Sequence, residues 1–201
     1  LPERRDMLVK LMEGVEDLPE VVLTEGLPWN WQSFPEFLDA LGARRYDTDV
    51  ATQVPHAAVR VHVMGQRGAD REPSTEAERQ EMARIVAEGI RGGALGFSTS
   101  RTIAHKTRKG EHTPTLGAAE GELRAIAEAL RGVGAGWMQV ISDFDDPDDE
   151  FAMLRRVAKA SGQVMSTQLL QRADRPELWR QILGKIEAAN RDGTRILGQV
   201  M

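Results

Sequence analysis

The chain is 201 residues long and 41% hydrophobic, with 26 lysines and arginines against 31 aspartates and glutamates and no cysteine. This apolar content is enough for a packed core, and the lack of cysteine excludes disulfides and thiol chemistry within these residues. The net charge of −5, with mixed signs, disfavours a nucleic-acid partner, and no uncharged apolar run is long enough for a membrane helix. We therefore expect a globular, cytoplasmic protein that acts on a small molecule, with no membrane partner and an unknown oligomeric state.

A helical lead-in is predicted over residues 1–46. Met7, Leu8, Leu11 and Met12 recur at helical spacing, and Ser33 followed by Glu36 is typical of a capping box that starts a second helix. Residues 47–201 form the repeated part of the chain. Because a strand-like apolar run ends the sequence, we expect these 201 residues to be a piece of a larger protein.

From residue 47 onward, strand-like segments alternate with amphipathic helices. The strands are predicted at 49–54, 94–98, 136–142, 163–169 and 195–200. The intervening helices have these apolar residues at helical spacing: Met82, Ile85, Val86 and Ile90; Leu123, Ile126, Ala127 and Leu130; Phe151, Leu154, Val157 and Ala158; Leu178, Ile182, Leu183 and Ile186. This alternation predicts an α/β fold with parallel strands. Five units fit either a doubly wound sheet or part of a (β/α)8 barrel, which needs about eight.

Polar residues follow the predicted strands at their carboxyl ends, where both architectures bind ligands. His56 and Arg60 lie a helical turn apart and could hold a carboxylate together, although Arg60 could instead pair with a nearby acidic residue. We assign no catalytic residue from the sequence. The candidate substrate-binding residues are His56, Arg60, Ser98, Ser100, Arg101, Gln139 and Gln168.

Several familiar sites are disfavoured. The glycine-rich run 132–136 precedes its strand, so it predicts a helix end and not a nucleotide-binding loop. The four histidines have no His-x-His or His-x3-His spacing, so no metal ligand is predicted in this chain. The acidic run 143–150 complements a helix amino terminus, and Ser98 and Ser100 lack a nucleophile-elbow motif.

Three segments carry a resemblance to a known family: Glu25–Leu38 (EGLPWNWQSFPEFL), Gln53–Arg60 (QVPHAAVR) and Gly93–Arg101 (GALGFSTSR). They resemble the N-acyl-D-amino-acid deacylases (D-aminoacylases) of the amidohydrolase superfamily, over nearly the whole chain. The resemblance implies a TIM-barrel hydrolase of non-peptide C–N bonds, with this chain supplying about strands three to seven. It also implies a divalent metal, zinc, whose ligands lie mostly outside this chain.

The chain departs from that family at two strand ends. Family members place metal-ligand histidines at the ends of strands five and six, where this chain reads Gln139–Ser142 and Thr167–Leu170. Glutamine amide oxygens are weak zinc ligands. Three interpretations stay open: a hydrolase segment that is inactive alone, a degenerate barrel that binds a small molecule without hydrolysis, and a complete open-sheet domain.

Overall fold

The computed structural model describes residues 5–15 and 18–200, so parts of the predicted lead-in lie outside it. The helices are α1 (Arg5–Val15), α2 (Glu20–Gly26), α3 (Phe34–Gly42), α4 (His56–Met64), α5 (Gln66–Ala69), α6 (Glu76–Arg91), α7 (Glu120–Val133), α8 (Pro147–Ser161) and α9 (Leu178–Arg191). The strands are β1 (Gln53–Pro55), β2 (Gly96–Arg101), β3 (Trp137–Ser142), β4 (Met165–Gln168) and β5 (Ile196–Gln199).

The strands of the described residues form one parallel sheet in the order β1-β2-β3-β4-β5. Each strand therefore lies beside the one that precedes it in the chain. A doubly wound sheet would reverse its order at a switch point, whereas a (β/α)8 barrel keeps its strands in sequence. The predicted α/β class is confirmed, and the strand order favours the barrel segment over the open sheet.

The element boundaries differ from the prediction in the region before β2. Residues 49–52 lie outside β1, whose ladder with β2 begins where Gln53 pairs with Gly96; one further backbone hydrogen bond, from Leu95 N–H to the Thr52 carbonyl oxygen, precedes it. Helix α4 follows β1 directly and was not predicted, since its N-cap, Pro55, makes no side-chain capping hydrogen bond that would mark the start. Helix α2 in the lead-in was also not predicted.

The predicted capping box is confirmed at α3, and α6 begins with one of the same kind. The Ser33 hydroxyl accepts from the backbone of Glu36, whose carboxylate reaches back to the Ser33 backbone, and Thr75 and Glu78 make the same reciprocal pair before α6. The glycine-rich run after α7 ends that helix, with Gly134 in the left-handed region at φ 76°. No helix among the described residues is long and apolar enough to span a bilayer.

The sheet has two faces of opposite character. The helix face packs against the surrounding helices and carries the buried residues Val54, Phe97, Met138, Val140, Met165 and Ile196. Because strand residues alternate, the other face, here called the inner face, carries Gln53, Ser98, Ser100, Trp137, Gln139, Ile141, Ser166, Gln168, Leu197 and Gln199. Barrel interiors are usually filled by Val, Ile and Leu. The polar inner face is therefore the part of this sheet suited to contact a ligand.

Candidate functional site

A cavity of about 550 Å³ lies at the carboxyl ends of the central and later strands. Its walls come from residues 102–105 after β2, the end of β3, residues 168–172 at the end of β4, and the start of α9. This is the edge at which ligands bind in parallel α/β folds. We take this cavity as the candidate substrate site.

Glutamines on the inner face form the polar part of the cavity. Gln139 Nε2 donates a hydrogen bond to Gln199 Oε1 at 3.1 Å, across the position of β4. Both residues line the cavity, as does Gln168. Carboxamides can both donate and accept, so this wall can bind acyl or carboxylate oxygens and amide N–H groups.

The Gln168 side chain ties the end of β4 to the end of β3. Its Oε1 accepts from the backbone N–H of Ser142 at 3.1 Å, and its Nε2 donates to the Ser142 carbonyl oxygen. The backbone pairing of these strands stops at Val140 and Thr167. The Gln168 carboxamide thus takes the place of a backbone peptide group in the ladder. Its oxygen and its nitrogen are both engaged in these hydrogen bonds.

Ser100 and His105 meet at the carboxyl end of β2. The Ser100 Oγ lies 2.8 Å from His105 Nδ1, and both side chains are half-buried. His105 lines the cavity, whereas neither Ser100 nor Ser98, two residues earlier on the same face, does. The structure therefore brings Gln139 and Gln168 to the cavity and connects Ser100 to it through His105.

His56 and Arg60 lie on the helix face, away from the cavity. Arg60 donates to both carboxylate oxygens of Glu122 and to the Glu72 carbonyl oxygen, while His56 Nε2 lies 2.9 Å from Glu122 Oε1. The other ring nitrogen, His56 Nδ1, lies 2.8 Å from Thr99 Oγ1. The pair does hold a carboxylate, and in this structure it is that of the chain's own Glu122.

The burial of this group sets its protonation. His56, Arg60 and Glu122 are each at most 2% exposed. Burial lowers the pKa of His56, against the opposing influence of Glu122, so the imidazole is neutral at neutral pH. Burial alone would raise the pKa of Glu122, but side-chain hydrogen bonds from His56, Ser74 and Arg60 outweigh it and lower that pKa to about 2. The buried charge is thereby carried by a Glu122–Arg60 ion pair.

Arg101 also points away from the cavity. Its guanidinium donates to both carboxylate oxygens of Glu150, at 2.5 and 3.1 Å, and to the Ala118 carbonyl oxygen at 2.6 Å. Ser142 Oγ donates to the same carboxylate at 2.9 Å. This network joins β2, β3 and α8, so Arg101 holds the rim of the site together instead of facing a ligand.

Glu122 and His105 belong to these networks and were absent from the predicted set. Glu122 precedes the apolar series of α7 by one residue and lies four before Ile126, so its place on the apolar face was a usable signal of a buried carboxylate. His105 stands alone in a long loop, and only the tertiary structure brings it to Ser100.

Comparisons with known proteins agree with this architecture. Among solved structures, the chain is similar to a D-aminoacylase mutant in complex with copper chloride and to a D-aminoacylase described as having a binuclear metal centre, each with 20% identity and a TM-score of 0.71. A further D-aminoacylase structure has 19% identity and a TM-score of 0.68. Each comparison covers 90% of this chain, which spans 36% of the length of each of those proteins. No curated protein matches the chain.

The family comparison covers almost every residue. A model described as the amidohydrolase family matches residues 3–200, and the solved structures share the fold at low identity. The resemblance found in the sequence is thereby confirmed at the level of family and fold. The chain belongs to the amidohydrolase family.

Proposed function

We propose that this chain is part of a metal-dependent hydrolase that cleaves non-peptide C–N bonds, with N-acyl-D-amino acids as its substrates. The observation that carries the proposal is the position of the 550 Å³ cavity at the strand ends of an amidohydrolase-family sheet. The similar solved structures are D-aminoacylases, which supports this substrate class.

The described residues would serve in substrate binding. Gln139 offers a carboxamide on the inner face, and Ser98, Ser100 and Gln168 lie on that same face. His56, Arg60 and Arg101, which the sequence also indicated, lie on the helix face of the sheet. They would support the site indirectly, because their ion pairs hold α4, α7 and α8 in place. Binding and orientation of substrate are roles that such positioned polar groups can supply without chemistry of their own.

A metal does not fit the donors that this chain offers. Within residues 5–15 and 18–200 no group of three or more His, Asp or Glu side chains is placed to hold an ion. The Asp143 carboxylate after β3 is engaged with Thr102 and Ile103, and the other side chains at the ends of β3 and β4 are hydroxyls and carboxamides, of which Gln168 is engaged with the Ser142 backbone. Such donors suit zinc poorly. We propose that metal ligands of the whole enzyme come from outside the described residues.

The sheet edges support the proposal that this is a segment. Among the described residues, β1 and β5 each pair with one neighbouring strand only. Unpaired edges of this kind promote association and are closed in complete barrels. The remaining strands of the barrel would come from further polypeptide, which agrees with the 36% coverage of the similar structures.

The full-length protein that contains this chain tests the proposal. We expect hydrolysis of N-acetyl-D-leucine, measured by release of the free amino acid, together with bound divalent metal in elemental analysis. Gln139→Ala should raise KM, whereas Gln80→Ala, on the exposed surface of α6, should change neither KM nor kcat. The assignment would be overturned if the full-length protein neither hydrolysed N-acyl-D-amino acids nor contained a bound divalent metal.

A second function is favoured by the Gln168 contact. Since this side chain stands where the family resemblance implies a metal-ligand histidine, the barrel could bind a small molecule without hydrolysing it. Binding of N-acetyl-D-leucine by calorimetry without any release of D-leucine would favour this alternative.

A further inference from the structure

We infer that His105 donates a hydrogen bond from Nε2 to an oxygen of the bound substrate, and that Ser100 is the positioning residue that orients it. The inference rests on the proposed function, because it assigns the polar group that would recognise the substrate in the same cavity. Neither residue role follows from the sequence, in which His105 is an isolated loop histidine.

The backbone around this pair is held on both sides. Thr115 Oγ1 donates to the Ser100 carbonyl oxygen at 2.6 Å, which fixes the backbone at the carboxyl end of β2. After β2, the Asp143 carboxylate accepts from Thr102 Oγ1 and from the Ile103 backbone N–H, both at 2.6 Å. The short segment that carries His105 is therefore tied to the end of β3 before any ligand arrives.

The Ser100 contact orients the imidazole of His105. The Ser100 Oγ lies 2.8 Å from His105 Nδ1, a distance that fits either atom as the donor, and our inference takes the hydroxyl as the donor. A hydroxyl that donates to Nδ1 requires the neutral ring to carry its proton on Nε2. Nε2 has no partner in the part of the chain that the structure describes, although the side chain is half-buried and lines the cavity. The result is an oriented and unused N–H donor.

The surroundings of this donor define the ligand chemistry. The cavity also has the carboxamides of Gln139 and Gln199 and the apolar side chains of Ile141, Leu170 and Trp179. A ligand that carries an acceptor oxygen beside an apolar group would match both the polar and the apolar side chains of the cavity. An N-acyl amino acid with an apolar side chain offers two such oxygens, the acyl carbonyl and the carboxylate, and the experiment separates them.

Calorimetric titrations of the full-length protein test the inference. The ligands are N-acetyl-D-leucine, N-isopentylacetamide, which has the acyl group and the apolar chain but no carboxylate, and D-leucine, which lacks the acyl group. His105→Gln should weaken binding of N-acetyl-D-leucine roughly tenfold, the loss expected for one hydrogen bond to a charged or strongly polar group. If the carboxylate is the acceptor, His105→Gln should leave the affinity for the ligand without a carboxylate unchanged. If the acyl oxygen is the acceptor, it should leave the affinity for D-leucine unchanged.

Ser100→Ala provides the test of positioning. Removing the hydroxyl should weaken binding by a few fold, and ¹⁵N NMR of labelled histidine should show His105 moving from the Nε2–H tautomer to a mixture. Ser100→Thr should restore both, since it keeps the hydroxyl. Gln80→Ala, on the exposed surface of α6 and outside the site, is the control and should change neither measurement.

The outcomes separate this inference from the proposed function. An Nδ1–H tautomer in the unsubstituted protein, or equal effects of Gln80→Ala and Ser100→Ala, overturns the inference while substrate hydrolysis continues. A protein that neither binds nor hydrolyses N-acyl amino acids overturns the proposed function, and the inference with it, even where the tautomer is as expected.

Discussion

The two faces of the sheet divide structural and functional roles between neighbouring residues of the same strand. On β3, Met138 and Val140 are buried against the helices, while Gln139 between them faces the cavity. On β2, Thr99 contacts His56 on the helix face, while Ser100 contacts His105 on the inner face. Adjacent positions therefore stand in different environments.

This difference shows why polar character alone does not locate a site. Four of the seven residues indicated by the sequence (Ser98, Ser100, Gln139 and Gln168) lie on the inner face. The other three (His56, Arg60 and Arg101) are engaged in buried or half-buried ion pairs on the helix side. The first group should affect ligand binding when substituted, and the second should affect folding.

The largest effect is expected for Glu122→Gln on the helix side. The change leaves Arg60 buried with a neutral partner, and breaking a buried pair in this way costs about 3–5 kcal/mol of unfolding free energy. Denaturant titration measures the loss. Glu120→Gln, two residues earlier in an exposed pair with Arg156, should leave the midpoint almost unchanged. Equal effects of the two substitutions would contradict a buried pair.

A nearly equal effect is expected for Met138→Ala, which empties a fully buried position of the helix face. Removing the side chain should cost about 2–5 kcal/mol, from lost burial and the cavity left behind. Thermal and denaturant unfolding measure it. A loss below 1 kcal/mol would mean that the helix face is loosely packed.

The buried group should also make stability depend on pH. The native pKa values of His56 and Glu122 both lie below those of the unfolded chain, so the unfolded state binds more protons. The free energy of unfolding should therefore fall as pH drops below about 6.5 through His56, and again below about 4.5, down to about 2, through Glu122. Denaturant midpoints measured across this range test the slope.

His56→Gln isolates the upper part of that dependence. The variant cannot protonate at this position, so its stability should change less between pH 7 and pH 5 than that of the unsubstituted protein. Identical slopes in the two proteins would show that other groups are responsible.

A smaller effect is expected for Gln168→Ala at the rim of the site. The substitution leaves the backbone N–H and carbonyl of Ser142 without their partners, at a cost of about 1–3 kcal/mol. Hydrogen exchange at the Ser142 amide should become faster. The control Gln171→Ala, at an exposed loop position, should leave this rate unaltered.

The smallest effect on folding is expected for Gln139→Ala on the inner face. Its hydrogen bond to Gln199 is exposed, so stability should change by less than about 0.5 kcal/mol. Ligand affinity, measured by calorimetry, should nevertheless decrease. A large loss of stability here would indicate that the inner face is packed like the helix face.

The fold was predictable because each βα unit has its own local pattern. Leu123, Ile126 and Leu130 recur at helical spacing, and the capping pair Ser33–Glu36 marks a helix start without any tertiary information. Helix α4 was missed because it has no such start signal. Strand order was not predictable, since the same units fit two architectures that differ only in which strands become neighbours.

The site was predictable only in part. The strand ends are found from the alternation, so Gln139 and Gln168 could be indicated from sequence. Whether Arg101 faces a ligand or Glu150 depends on which face the strand presents, and a shift of one residue reverses that answer. The contact of His105 with Ser100 depends on the path of a loop, for which the sequence has no periodic signal.

The connections after the strands differ greatly in length. Helix α4 starts at the residue after β1, whereas residues 102–119 separate β2 from α7 and residues 169–177 separate β4 from α9. Libraries designed to alter substrate preference should therefore concentrate on these two longer connections, which border the cavity and tolerate insertion better than buried strands. The junction of β1 and α4 offers no such freedom, because any added residue would rotate His56 and Arg60 away from Glu122.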